Sequence, residues 1–411
     1  MPSLGAIPRA LSHRDARIFF GGSLAAWTGL WMQRVAVGWL AWDLTGSAFW
    51  VGLVAFADLA PAVLVSPIAG AIADRVDRLR LSMLTQLAIA AQAALIAGIT
   101  LAGGMTIGLL LALELAGGVA GCFAQPARQA LLPGVVPRAD LPASVAVNSL
   151  VFNLARFIGP ALAGPVILVW GVAPAIACNA LAYVFASATL LLLRVAPEAR
   201  QGHPASKSLL GEMRDGLLYV ARHPGLGPIL LFSALSCLAL RGLQEILPPF
   251  VERLFQGGPE SLAILTSAFG VGALVSGLLL AARGRLAGTT RIAILAIAAQ
   301  AVATAAFVST GMFALGVLSA AAIGAMASLH GIAVQTLVQS ASDPAMRGRV
   351  LAVWGLITRA GPAAGALALG AAGEAFGMAW PVYAAVLLAL GIVAWGLTVA
   401  GRAAASLERT D

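Results

Sequence analysis

Charge is what this chain has least of. Lysine and arginine number 25 and aspartate and glutamate 17 among 411 residues, 10% together, where a soluble domain carries about 25%. With 60% hydrophobic residues, that deficit excludes an ordinary water-exposed surface. Cysteine is scarce as well. Cys122, Cys178 and Cys237 all lie in apolar runs, so they support neither a disulfide framework nor a metal site. No HExxH helix, Walker loop, G-x-S-x-G elbow or paired histidine occurs. No catalytic residue, cofactor or metal is therefore expected, and an enzyme is the weaker reading. The net charge of +8 has no nucleic-acid-binding module to go with it, so the partner it implies is a membrane surface.

What the chain has in abundance is uninterrupted apolar sequence. Twelve runs of membrane-crossing length lie near residues 18–42, 49–72, 82–103, 105–125, 144–169, 172–193, 226–250, 261–282, 291–310, 312–333, 350–372 and 378–400. Crossing a bilayer takes about 20 residues, and backbone groups in lipid must be satisfied within the segment. The fold class expected is all-α integral membrane, with twelve transmembrane helices. The first run follows Arg17 and is too long for a cleaved signal core, so it reads as a retained helix. Placing both termini and the even-numbered connections on one side gathers nearly every cation there and leaves Arg253 opposite. By the positive-inside rule both termini face the cytoplasm. Heavy use of alanine, glycine and arginine with a single lysine points to a bacterial cell membrane.

The polar interval near 195–225 separates six runs from six. The expected organisation is an N-terminal half over 1–193, a cytoplasmic linker over 194–225 and a C-terminal half over 226–411. Leu209, Leu210, Met213, Leu217 and Tyr219 lie roughly on one face of a short amphipathic helix in that linker. The halves resemble each other. "QALLPGVVPRADLPASVAV" from Gln129 corresponds to "QTLVQSASDPAMRGRVLAV" from Gln335, and "RFIGP" from Arg156 to "RAGP" from Arg359. "GAIADRVDR" from Gly70 has an echo in "GLLLAARGR" from Gly277, where Ala281 stands in place of Asp74. Duplicated six-helix halves suggest alternating access around a central site.

The loop "GAIADRVDRLRL" resembles the signature between helices 2 and 3 of the major facilitator superfamily, with Asp77 where that signature has glycine. "WMQRVAVGWLAWDLTGSAFWVGL", "QPARQALLPGVVPRADLP" and "ARFIGPALAG" are similar to the bacterial subgroup containing the enterobactin exporter and related drug-efflux proteins. The resemblance implies the major facilitator fold and a secondary active transporter that exports a small amphipathic molecule, siderophore-like or drug-like, by alternating access in antiport with protons. It also implies that Gly70, Asp74, Arg75 and Arg78, with Gly159, Pro160 and Gly164 of helix 5, form the conformational motif. Asp74 and Arg78 are four apart and pair if the helix continues through them. Substrate, protons and lipid are the expected partners, and a monomer the expected state.

Ionisable residues inside apolar runs carry the strongest functional signal, since each costs roughly 2.5–3.5 kcal/mol at a helix centre. Glu114, Asp58 and Glu245 are the proton-coupling candidates, because a desolvated carboxylate is suited to loading and releasing a proton. By the resemblance, which places helices 1, 4 and 7 around a cavity, Trp31, Gln33, Arg34, Arg156 and Arg241 are the substrate-cavity candidates. Structural pairings compete with these roles: Arg34 with Asp58, Arg241 with Glu245 along one helix, and Glu114 with Arg156. A nutrient importer, a channel and a membrane enzyme remain the rival functions.

Overall fold

In the computed structural model, which describes residues 6–73, 75–194, 209–283 and 286–408, the apolar runs are helical and no strand occurs among the described residues. In chain order the helices are α1 (Ala6–Ser12), α2 (Arg14–Thr45), α3 (Ala48–Leu59), α4 (Pro61–Ala73), α5 (Arg78–Leu101), α6 (Ile107–Leu131), α7 (Leu141–Trp170) and α8 (Val172–Leu191). After the linker come α9 (Leu209–Arg222), α10 (Leu226–Leu240), α11 (Gly242–Glu245), α12 (Leu247–Phe255), α13 (Pro259–Arg283), α14 (Thr289–Ser309), α15 (Phe313–Ala341), α16 (Arg347–Phe376) and α17 (Ala379–Leu407).

Among the described residues, ten spans are long and apolar enough to cross a membrane, or up to eleven if one bent pair is counted together. Two of the twelve expected runs behave differently from the rest. The first, α2, has ample length in its 32 residues, but Gln33, Arg34 and its glycines dilute its apolar character. The other, expected over 226–250, is broken into α10, α11 and α12, the last reaching Phe255. Its last piece restarts at Leu247, where Pro248 and Pro249 follow and neither can donate a backbone hydrogen bond. The expected second helix is likewise divided, at Ala60 before Pro61. The linker helix α9 meets α10 at a bend of 107°.

The turn after α4 carries the superfamily-like loop. Helix α4 ends at Ala73, and Arg78 is the first residue of α5. Asp74 itself lies outside the described residues. Asp77, the departure from the superfamily glycine, caps α5: its Oδ1 accepts from the Leu79 amide at 2.9 Å and the Arg80 amide at 3.0 Å. That satisfies two of the N–H groups left over at a helix start.

Contacts divide the chain into two compact units. The first comprises Met1–Leu44, Pro61–Ser206 and Pro259–Ser267, the second Thr45–Ala60, Lys207–Gly258 and Ala268–Asp411. In the first, α5 lies between α6 and α8, and α4 packs on α6. Glycine makes the closest approaches. A Cβ at Gly29 of α2 would come within 2.9 Å of the Asn179 Cα on α8, and one at Gly159 of α7 within 2.5 Å of the Trp31 Cβ.

In the second unit α10 packs on α16 and α17, α14 on α15 and α17, and α3 on α16. Phe232, Ile294, Val334 and Val350 are among its buried core residues. The α3–α16 contact is backbone on backbone. A Cβ at Gly52 would meet the Ala366 carbonyl oxygen at 2.6 Å, and one at Gly370 the Ala48 carbonyl oxygen at 2.5 Å. Glu374, near the end of α16, caps the start of α3: its Oε2 accepts from the Ser47 hydroxyl and the Ala48 amide, each at 3.1 Å. A carboxylate there meets both the unsatisfied amides and the positive end of the helix dipole.

Candidate functional site

Four helices of the first unit each contribute one polar side chain to a single buried cluster. Gln33 comes from α2, Gln92 from α5, Glu114 from α6 and Asn179 from α8. Their exposures are 5%, 6%, 8% and 0% respectively, so the cluster is sealed inside otherwise apolar packing. Glu114 Oε1 accepts from Gln33 Nε2 at 3.2 Å and from Gln92 Nε2 at 3.0 Å. Gln33 Nε2 also reaches Gln92 Oε1 at 3.2 Å, and Asn179 Nδ2 donates to Gln33 Oε1 at 2.6 Å. The cluster exists because glycines let the helices close. Gly29 admits α8 to α2, and Gly117 of α6 lies where a Cβ would come 3.0 Å from the Gln92 amide.

Beside the cluster, α2 presents an aromatic and cationic face. Arg34 and Arg156 place their guanidinium carbons 5.2 and 5.3 Å from the Trp31 ring centroid, within cation–π range. Phe152, one turn before Arg156 on α7, packs edge-on against both Trp31 and Trp27. Arg128 of α6 then lies 3.5 Å over the Trp27 ring. The Trp31 indole nitrogen is buried with no hydrogen-bond partner among the described residues, and so is Nη1 of Arg128. A guanidinium and an indole N–H are donors only. The face is thus suited to a ligand rich in acceptor oxygens.

The expected site residues are shared between the two units. Trp31, Gln33, Arg34, Glu114 and Arg156 belong to the first unit, whereas Asp58, Arg241 and Glu245 belong to the second. Arg241 stands at the break between α10 and α11, and its Nη2 donates to the Ala327 carbonyl at 2.8 Å. The continuous helix expected to pair it with Glu245 is therefore interrupted. Asp58 is half-buried near the end of α3. Glu114 takes the amides of Gln33 and Gln92. In the conformational motif, Arg75 is exposed in the turn, Arg78 opens α5, and Gly70 lies on α4 with open space where a Cβ would be. Gly159 and Pro160 lie on α7 against α2, and a Cβ at Gly164 would meet the Ala263 Cβ at 2.7 Å. The second-half counterpart Gly361 has the Cys237 Cβ at 2.7 Å from the same position, so the two "GP" steps make like contacts in their own units.

Gln92, Asn179 and the stacked Arg128 are absent from the candidates that the sequence supplies. The signal for the amides was a lone polar residue inside each apolar run, "AIAAQAAL" and "IACNALAY", which a search confined to ionisable groups passes over.

The helical membrane fold is that of a class, the major facilitator transporters. The fold is similar to the solved inward-facing, unoccupied structure of a bacterial homologue of the human lysosomal transporter Spinster, with a TM-score of 0.73 at 14% identity over 97% of this chain and 99% of that one. Within the class, the family model described as transmembrane secretion effector matches residues 9–409, and the chain belongs to that family. Curated relatives similar in sequence carry siderophore, macrolide and multidrug names; two of these are siderophore transporters. One is a staphyloferrin A transporter of Staphylococcus aureus, 25% identical over 64% of this chain and 66% of the relative, just under two thirds of that protein's length. The other is an enterobactin exporter of Citrobacter koseri, 28% identical over 87% of this chain and 81% of the relative. The chain is a multi-pass membrane protein of the major facilitator type, and its family and structural neighbours are transporters rather than enzymes.

Proposed function

We propose that the protein exports a small amphipathic anion or acceptor-rich aromatic, siderophore-like before drug-like, in exchange for protons by alternating access. The bacterial inner membrane with both termini cytoplasmic, a monomeric state, and halves over 1–193 and 226–411 belong to the same reading. One observation carries it. Residues 31–34 of α2 join a buried carboxylate, through Gln33, to a donor-rich aromatic station made by Trp31, Arg34 and Arg156. A carboxylate in a low-dielectric site is suited to taking up a proton, and guanidinium groups beside an indole are suited to anionic rings. The siderophore names of both curated relatives agree with that ligand chemistry. The turn from Gly70 to Arg78, including Asp74, and the Gly159–Pro160–Gly164 helix act in this reading as the elements that change partners during alternation.

The test is transport by purified protein in proteoliposomes under an imposed inward proton gradient, with catecholate chelators and cationic dyes as alternative substrates. Glu114→Gln should abolish uphill accumulation while leaving substrate-dependent thermal stabilisation in place. Uphill transport surviving in Glu114→Gln would remove Glu114 from the coupling role and pass it to Asp58, then Glu245. Stronger stabilisation by cationic dyes than by anionic chelators would favour the drug-like substrate.

A further inference from the structure

The four-helix cluster is directional, and its direction has a consequence for Glu114. Its donors run one way, from Asn179 to Gln33, from Gln33 to Gln92 and Glu114, and from Gln92 to Glu114. A proton carried on Oε1, the oxygen that faces both glutamines, brings an O–H toward Gln92, and a glutamine amide accepts it only by turning its oxygen toward it. If Gln92 turns, its Nε2 faces Gln33, which must present its own oxygen. Gln33 Nε2 then faces Asn179, whose oxygen accepts. The Glu114–Gln92, Gln92–Gln33 and Gln33–Asn179 links survive with donor and acceptor exchanged, and only the direct Gln33–Glu114 bond is given up.

The far end of the chain permits that reversal. Asn179 Oδ1 is buried without a hydrogen-bond partner among the described residues. Whichever way this amide faces, one of its ends is left over, so its orientation is held by Gln33 alone. Gly29 leaves the space it occupies, since a Cβ there would come 2.7 Å from Oδ1. A fully satisfied asparagine would resist turning, because reversal would break its other bonds.

We propose that Gln92 and Asn179 are positioning residues that set the proton affinity of Glu114, and that proton uptake reverses the hydrogen-bond chain from α6 through α5 and α2 to α8. This rests on the reading that Glu114 takes up the coupling proton. The other ionisable groups within the membrane-spanning parts of these helices and of α7 are Arg34 on α2, Cys122 and Arg128 on α6, Arg156 on α7, and Cys178 and Tyr183 on α8; α5 has none beyond Arg78 and Arg80 at its start. Their charges act on Glu114 as well, but they leave the direction of the amide chain to the amides.

Infrared titration of the purified full-length protein in detergent tests this without any substrate. The carboxyl band that titrates in the parent and is lost in Glu114→Gln reports Glu114. Gln92→Met should move its midpoint upward by about one to two pH units, the tenfold to hundredfold change in proton affinity that one charge-assisted hydrogen bond supplies. Asn179→Leu, acting through Gln33, should move it upward by less. A purely packing role for the amides predicts changed melting with an unmoved midpoint, and that result in folded variants overturns the proposal. If Gln92→Met does not fold, Gln92→Asn, shorter by one methylene, must show the upward shift, and an unmoved midpoint there is equally fatal. Absence of any Glu114-dependent titration would instead defeat the coupling role itself.

Discussion

Gly159→Ala adds a single methyl group at the closest contact between α7 and α2. The new Cβ would stand 2.5 Å from the Trp31 Cβ, 2.7 Å from the Thr28 carbonyl oxygen and 3.3 Å from the Met32 amide nitrogen. Carbon contacts settle near 3.5–4.0 Å, so the two helices must separate by about 1 Å for the methyl to fit. Two of the three obstructing atoms are backbone, which no rotamer change can move. Overpacking of this kind costs about 1–3 kcal/mol, roughly a 5- to 150-fold loss in folded population. Gly98→Ala on α5 is the control, because nothing lies within 4 Å of its Cβ position. There alanine should gain up to about 1 kcal/mol from helix propensity. The same substitution thus has opposite signs at the two sites. Thermal unfolding in detergent, followed by tryptophan fluorescence, measures both. Gly159→Ala should melt below the parent and Gly98→Ala at or above it. A Gly159→Ala protein as stable as the parent would show that α7 and α2 are not in backbone contact, and the placement of Trp31 against Arg156 would fall with it.

Other outcomes follow from the two carboxylate caps. Glu374→Ala removes the acceptor shared by Ser47 and Ala48 and should cost about 0.5–2 kcal/mol, the usual range for losing a helix cap; faster amide hydrogen exchange at Ala48 is the local readout. Glu408 caps α14, accepting from the amides of Gly288 and Thr290. Desolvation pushes its carboxyl up, but the bonds from Thr290 and Gly288 and the charge of Arg283 outweigh it and hold the group below its ordinary value of 4.5. Because the folded value is depressed, the cap's contribution is present above that ordinary value and is lost as pH falls through the folded one. Glu408→Gln should therefore flatten the acid side of a melting-temperature profile, and an unchanged acid limb would count against the cap.

Much of the architecture was legible in the chain before folding. Helices over the apolar runs follow from one local requirement, that each backbone N–H in lipid finds its carbonyl within the same segment. The duplicated "GP" steps at Gly159 and Gly361 were visible as repeated sequence. Asp77 was visible as a departure from the superfamily signature, although its job as a helix cap required the turn after Ala73 to be seen. The breaks at Ala60 and Ile246 were harder, because proline bends or breaks a membrane helix according to what its neighbours supply, and the break at Arg241 has no proline beside it.

The polar cluster belongs to tertiary structure alone. Gln33, Gln92, Glu114 and Asn179 stand in four separate runs, with no fixed spacing that a sequence pattern could register. Each looks like an isolated polar residue in apolar surroundings. What joins them is the close approach allowed at Gly29 and Gly117, which depends on how neighbouring helices rotate about their axes. Glu374 shows the same division: its sequence records only an acid near the end of a helix, and its partners at Ser47 and Ala48 lie more than 300 residues away. Hydropathy and backbone hydrogen bonding act over one or two turns and are written locally, whereas the direction in which each buried side chain points is set by packing between segments distant in the chain.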